Sequence, residues 1–346
     1  MMPRAFIIRA VLLCLLLIAG RDLSAQNREQ HLVAFYNVEN LFDTINNPAT
    51  LDEDMLPLAD RGWNSERYNR KIDMLARVIV DMQCCNSLPA IVGLAEVENS
   101  EVLESLTHHS ALAEAQYQIC HFDSPDRRGI DVALLYRPDL FCVAGAKAIP
   151  IKVEGEEEFS TRDVLVVWGE FCGERFMFVV VHWPSRIGGV AATEHRRVAC
   201  ARRVREILDA AMRQAPDMKI VVMGDMNDNP SNRSLRRYLR SRKSSRGLQL
   251  DELYNPFPRL TPAGSSRYDG RWNHYDNILL SPNLVVDTPA YCGGLCFNPR
   301  RQSHSASIFC RDYMCDDRGY PLPTYSGSDY VGGVSDHLPV CVILRR

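Results

Sequence analysis

The chain has 346 residues, 46% hydrophobic and 24% charged, with a formal net charge of −3. That composition supports a substantial buried core and excludes a low-complexity chain. The near balance of charge excludes attraction of a polyanion by the overall field, so any such contact must rest on a local basic patch.

Arg4 and Arg9 make a basic start, Val11 to Ile18 is an unbroken apolar run, and Ser24-Ala25 places small residues before Gln26. This is the layout of a secretory signal peptide, and the run is too short for a stable span. The expectation is removal of residues 1–25, a single domain over 26–346, and export to the periplasm or beyond. An uncleaved anchor is the alternative; Cys14 follows Leu13, not the small residue a lipoprotein site requires. Of 12 cysteines, those beyond Cys14 are odd in number. In an oxidising compartment some should pair. The neighbours Cys292/Cys296 and Cys310/Cys315 suggest disulfides more than a zinc site, because their spacing is not that of a standard zinc knuckle.

In chain order, Leu32 to Tyr36 reads as a strand and Arg67 to Met82 as a helix, with Ile72, Leu75, Ile79 and Met82 on one face. Ala90 to Ala95 is a strand and Val102 to Leu112 a helix. Ile130 to Tyr136 is a strand closed by Arg137-Pro138. Arg162 to Trp168 and Arg175 to His182 flank Gly173 as a hairpin. Glu194 to Arg213 is a long helix, apolar at Val198, Ala201, Val204, Ile207 and Leu208. Lys219 to Met223, Asn273 to Leu280 and Pro339 to Leu344 are strands. Residues 43–63 and 288–330 read as long loops, rich in Pro, Gly and polar residues. Strands alternating with helices, together with hairpins, predict two mixed sheets packed together with helices outside.

Several apolar strands run straight into polar residues. Val33 to Tyr36 leads to Asn37-Val38-Glu39-Asn40, Ile91 to Ala95 to Glu96, Phe178 to Val181 to His182, and Ile220 to Gly224 to Asp225-Met226-Asn227-Asp228. Ser335-Asp336-His337 precedes the last strand. Singly, each has a plain reading: a turn at Asp228-Asn229-Pro230, a satisfied rim histidine at His182, a solvated strand end at Glu96 and Glu98. Together they predict one rim holding carboxylates, carboxamides and imidazoles. Such oxygen donors suit a hard divalent ion, Mg²⁺, Mn²⁺ or Ca²⁺. The histidines can donate hydrogen bonds or protons to phosphate oxygens, and a carboxylate can position a water. Ser335-Asp336-His337 is contiguous and is not a Ser-His-Asp triad, whose members meet through the fold.

With Tyr36-Asn37-Val38-Glu39-Asn40-Leu41-Phe42, Gly129-Ile130-Asp131-Val132-Ala133-Leu134-Leu135-Tyr136 and His182-Trp183-Pro184-Ser185-Arg186 in this order, the chain resembles the endonuclease/exonuclease/phosphatase superfamily from about His31 onward. It resembles most the exported bacterial branch of these DNase I-like proteins. The resemblance implies a four-layer α-β-β-α sandwich and metal-dependent hydrolysis of phosphate esters. It implies Asn37 near metal and phosphate, Glu96 as the main metal ligand, Glu39 as a weaker one, and Asp336 on the metal side. Asp225 would orient or deprotonate the water beside Asn227. Asp276 would pair with His337, which contacts the scissile phosphate, and His182 is a second family histidine. Ala95 stands where many members have Gln. Arg128-Gly129 replaces a tyrosine of the abasic-site enzymes, so Arg128 or Arg186 is expected to contact phosphate. That departure counts against a role in abasic-site repair.

Nucleic acid is the leading substrate expectation, because Arg196-Arg197, Arg202-Arg203 and the run Arg233 to Arg246 can line a phosphate track. A solvated helix face accounts for the same arginines almost as well. The alternative is a phosphatase or phosphodiesterase acting on lipid head groups or small phosphate esters. A catalytically dead binding module ranks last, since no expected catalytic residue is absent.

Overall fold

The computed structural model describes residues 29–260, 264–268 and 270–346; the expected signal peptide lies outside them. One sheet runs in the order β14 (Ala306–Ile308), β17 (Val340–Arg345), β1 (Gln30–Leu41), β2 (Ile91–Val97), β4 (Asp131–Tyr136) and β3 (Gln118–His121). The other runs β5 (Phe141–Ile149), β6 (Val164–Phe171), β7 (Glu174–His182), β8 (Lys219–Asp225), β13 (Asp276–Leu280), β10 (Leu253–Tyr254) and β9 (Ser241–Arg242). Two small hairpins, β11 (Ser266–Tyr268) with β12 (Arg271–Asn273) and β15 (Tyr325–Ser326) with β16 (Asp329–Tyr330), lie outside the sheets.

Side-chain alternation decides the layers. In β7, Phe176, Phe178 and Val180 join the core between the sheets. Met177, Val179 and Val181 point the other way, toward Cys200, Ala201, Val204 and Leu208 of helix α3 (Val190–Gln214). In β8 the same division puts Val221 and Met223 inside and Ile220 and Val222 under α3. A strand buried on both faces reads as a continuous apolar run, which is why Lys219 to Met223 read as a strand; β8 continues to Asp225. Helices α1 (Ser65–Asp81) and α2 (Ser100–Thr107) cover the first sheet with Ile72, Leu75, Val78, Ile79, Val102 and Leu103. Each is capped by an asparagine, Asn64 accepting from Arg67 N at 3.1 Å and Asn99 from Val102 N at 3.0 Å. The result is the four-layer sandwich.

Differences from expectation have local causes. The second helix ends at Thr107, and a separate 3-10 turn follows at Ser110–Ala115. Strand β5 was not foreseen, because exposed and half-buried residues such as Cys142, Gly145 and Lys147 break any clear alternation. The segment 288–330 is not all loop: β14 pairs with β17. The expected disulfides are also corrected, since every cysteine among the described residues is a free thiol. Cys296 is in backbone pairing with Arg345 (N to O, 2.9 Å). Cys310 and Cys315 do approach, with their sulfurs 3.1 Å apart.

Gly224 lets β8 lie close to β7. A Cβ there would sit 2.1 Å from the Val181 carbonyl oxygen, so the strands would have to separate. Gly224→Ala is expected to cost about 1–3 kcal/mol, read as a lower urea midpoint. An unchanged midpoint would show that the strands have slack.

Candidate active site

The candidate functional side chains are brought together by register. β7 and β8 are parallel, with His182 beside Asp225. β8 and β13 are antiparallel, with Asp225 beside Asp276. Three adjacent strands thus present one row of chemistry. On the other sheet β1 and β2 are parallel and pair Asn37 with Ala95, after which both strands are irregular. Glu39, Asn40 and Glu96 there have φ of 52°, 52° and 64°, and Asn227 at the end of β8 has 47°. These left-handed backbones break the regular pleat at the strand ends that carry the candidate site.

Asn37 joins the two sheets. Its Nδ2 donates to Asp225 Oδ2 at 3.1 Å and to Glu96 Oε1 at 3.3 Å. Glu96 Oε2 also accepts from Asn40 N at 3.0 Å. Asp225 Oδ1 accepts from Asn227 N at 2.9 Å, and Asn227 Nδ2 donates to Trp183 O at 3.0 Å. His337 Nδ1 donates to Asp276 Oδ2 at 2.7 Å, an oxygen also held by the Ser265 hydroxyl at 2.6 Å. The other nitrogen, Nε2, faces Asp225 Oδ2 at 3.8 Å and Asp336 Oδ1 at 4.0 Å. His182 Nε2 lies 3.6 Å from Asp225 Oδ2 and 3.8 Å from Glu96 Oε1.

The two imidazoles are driven apart electrically. Burial opposes the charge on His337, but Asp276, Asp336 and Asp225 outweigh it and hold the ring well above the usual histidine range. Burial and the charges of Arg162 and Arg128 push His182 well below that range. Asp225 is pushed up to about 7, chiefly by burial, with the Asp276 and Glu96 charges acting against the relief from His337. Burial also lifts Glu39 to about 7 despite Lys71.

Not every expected residue faces the rim in the expected way. Glu39 Oε2 accepts from Thr324 N at 2.8 Å and Asp336 N at 3.2 Å, so this carboxylate braces the loop that carries Asp336. Arg186 is committed to Asn227 O (2.7 Å), Asp228 (2.8 Å) and Asn232 (3.1 Å) and buttresses the turn after β8. Arg128, in contrast, is half exposed and near enough to His182 to affect it. Three residues escaped notice in the sequence. Buried Lys71 on α1 donates to Glu39 O, Thr324 Oγ1 and Val334 O. Arg162 bridges Asp126 and Trp183 O at 2.8 Å each. Ser265 holds Asp276. The one available signal was a lone lysine within the apolar face of a helix.

The donor set fits a divalent cation. Glu96 and Asn37 supply oxygens at the mouth, Asp336 is exposed beside them, and Asp276 Oδ1 is buried without a partner. Asp225, Asp276 and His337 also place ligand-type atoms within 4.8 Å of one another. Within that trio His337 Nδ1 and Asp276 Oδ2 are already engaged with each other, so Glu96 and Asn37 are the better holders.

The sequence matches the endonuclease/exonuclease/phosphatase family over residues 32–346. The chain belongs to this family. It is therefore a metal-dependent hydrolase of phosphate ester bonds. No curated protein matches it. Among solved structures it is similar to an endonuclease/exonuclease/phosphatase family protein from Bacteroides thetaiotaomicron (17% identity, 92% of this chain and 98% of that one, TM-score 0.54). It is also similar to a mannosyl-6-phosphatase of the same organism (18%, 91% and 99%, TM-score 0.57) and to D. rerio TDP2 complexed with a single-strand DNA product (14%, 92% and 100%, TM-score 0.55).

Two substitutions test the site. His337→Ala is expected to remove about 3 kcal/mol or more of transition-state stabilisation, on the order of a hundredfold in rate; near wild-type turnover would refute the assignment. Asp225→Asn bears on the raised carboxyl. A group whose folded pKa exceeds its unfolded value stabilises below the unfolded value and loses that stability as pH rises through the folded one. In EDTA, Asp225→Asn should therefore melt above wild type by a margin that grows between pH 4 and about 7. A margin independent of pH would contradict the buried, raised carboxyl.

Proposed function

We propose that the chain is an exported phosphoesterase that hydrolyses phosphodiester bonds of nucleic acid. The reaction class rests above all on the row His182–Asp225–Asp276 facing Glu96. Asp225, pushed up to about 7, is poised to take a proton from an attacking water near neutral pH. Asn227 and Asn37 fix its orientation. His337, kept protonated by Asp276, directs Nε2–H toward the rim, where it can bind a phosphate oxygen. His182, held neutral, adds a hydrogen bond without repelling a nearby cation. Arg128 is the exposed guanidinium suited to a phosphate. Glu96 and Asn37, flanked by Asp336, would hold Mg²⁺, or Mn²⁺ or Ca²⁺. Bound there, the ion supplies positive charge that offsets the charge building on the phosphate.

The nucleic-acid reading is supported by a groove of about 590 Å³ that starts where the catalytic turns end, at Asn229 and His274. Arg236, Lys243 and Trp272 continue it, together with Arg242, which is paired with Glu252. Basic groups beside an aromatic face suit a backbone and a base. The roomier hollow of about 1010 Å³ near Ser244 and Arg300 holds none of the catalytic groups.

A second reading, hydrolysis of small phosphate esters or lipid head groups, draws on the fate of the other arginines. Arg196 pairs with Glu156, Arg233 with Glu194, Arg240 with Asp251 and Arg242 with Glu252. Arg197 is fully buried and paired with Asp228. The expected arginine track is thus largely neutralised, and only the groove remains to argue for a polymer. Export rests on the basic, apolar and small-residue order of residues 1–25. No helix among the described residues is long and apolar enough to cross a membrane.

A panel of plasmid DNA, RNA, sphingomyelin, inositol phosphates and sugar phosphates, each with Mg²⁺ or Mn²⁺, separates the readings. DNA or RNA should be cleaved fastest, and EDTA should abolish turnover. Hydrolysis of sugar phosphates alone would favour the second reading, and turnover surviving EDTA would refute the metal-dependent mechanism. N-terminal sequencing of the exported form is expected to begin at Gln26.

A further inference from the structure

A second set of ligand-type side chains lies on the first sheet and uses none of the residues of the catalytic rim. His121 ends β3, Asp123 follows it, and Asp131 opens β4. Together they bring an imidazole nitrogen and two carboxylate oxygens within 4.8 Å of one another. The side chains of His121 and Asp131 are 6% and 4% exposed. His121 Nε2 sits 3.4 Å from Asp131 Oδ2 yet is buried with no hydrogen-bond partner. Asp131 Oδ1 is occupied by Ser124, through its backbone N at 2.9 Å and its hydroxyl. Asp163 Oδ1 is likewise buried without a partner, and burial together with the Asp131 charge pushes that carboxyl up. On the other side of Asp131, Ser124 and Asp163 share with it a void of about 10 Å³ that neither His121 nor Asp123 lines, the room of a single water.

Buried polar atoms without partners are costly, and here two occur around one carboxylate. One divalent cation held with Asp123 and Asp131 would give the buried His121 nitrogen its partner. We propose that His121, Asp123 and Asp131 form a structural cation site distinct from the catalytic one. An imidazole among carboxylates suits Zn²⁺ or Mn²⁺ better than Mg²⁺ or Ca²⁺. The ion would tie the edge strand β3 to the start of β4 and so close the loop 122–130. That loop carries Asp126, the partner of Arg162, and Arg128.

Mn²⁺ is the probe, because free thiols compete for zinc. It is titrated into the purified, reduced chain and counted from the loss of the free-ion EPR signal. Wild type should bind one more Mn²⁺ than Asp123→Asn or His121→Ala, while Glu96→Gln keeps this site. In the Glu96→Gln background, Mn²⁺ should raise the melting temperature, and Asp123→Asn should abolish that rise. Asp123 is exposed, so its conservative replacement answers the question even if His121→Ala fails to fold. Equal Mn²⁺ counts in wild type and Asp123→Asn, or a thermal shift that survives Asp123→Asn, would overturn the proposal.

Discussion

The structure depends on the register of three strands. β7, β8 and β13 must pair so that His182, Asp225 and Asp276 fall in one row. Because side chains alternate, a slip of one residue in β8 would turn Asp225 away from both neighbours and send Val221 and Met223 out of the core. Core packing and the geometry of the candidate site are thus specified by the same pairing. Asn37 then connects this row to the facing sheet by reaching both Asp225 and Glu96. The rim is consequently built across two sheets, and its rigidity is that of the sandwich beneath it.

Placing so many ionisable groups in one buried row has an electrical consequence. Environments push the two histidines in opposite directions, one by acidic neighbours and the other by arginines and burial. Asp225 is left between them with its proton affinity near neutrality. Groups of like chemistry are thereby given different states at one pH, the usual way in which a site assigns proton donor and acceptor. Arg162 takes part from outside the row: its charge helps to keep His182 neutral, while its hydrogen bond to the Trp183 carbonyl steadies the peptide that also holds Asn227.

Much of this was legible in the sequence where local pattern and chemistry coincide. The apolar runs of β1, β2, β7 and β8 end in Asn37, Glu96, His182 and Asp225, and strand ends at one edge of packed sheets meet. Asp276 and His337 were legible through family resemblance, and their contact across the fold follows. Side-chain commitments were not legible. Nothing in His182-Trp183-Pro184-Ser185-Arg186 shows that Arg186 is tied to the turn after β8, because Asp228 and Asn232 lie some forty residues on. The arginines of α3 and the following segment looked like a track, yet their carboxylate partners, among them Glu156 on a distant loop, show only in the fold. Strands β3, β5 and β14 are edge or near-edge strands, where one side meets solvent and the apolar signal weakens.

The left-handed backbones of Glu39, Asn40, Glu96 and Asn227 bear on how this chain can change. Such conformations cost of order 1 kcal/mol each outside glycine, and here they lie at the strand ends that carry the candidate site. Selection for heat tolerance alone would favour glycine at these four positions and would lose Glu96, a proposed cation ligand, in doing so. Endurance and turnover therefore pull in opposite directions at the rim, while the sandwich below is free to improve in both.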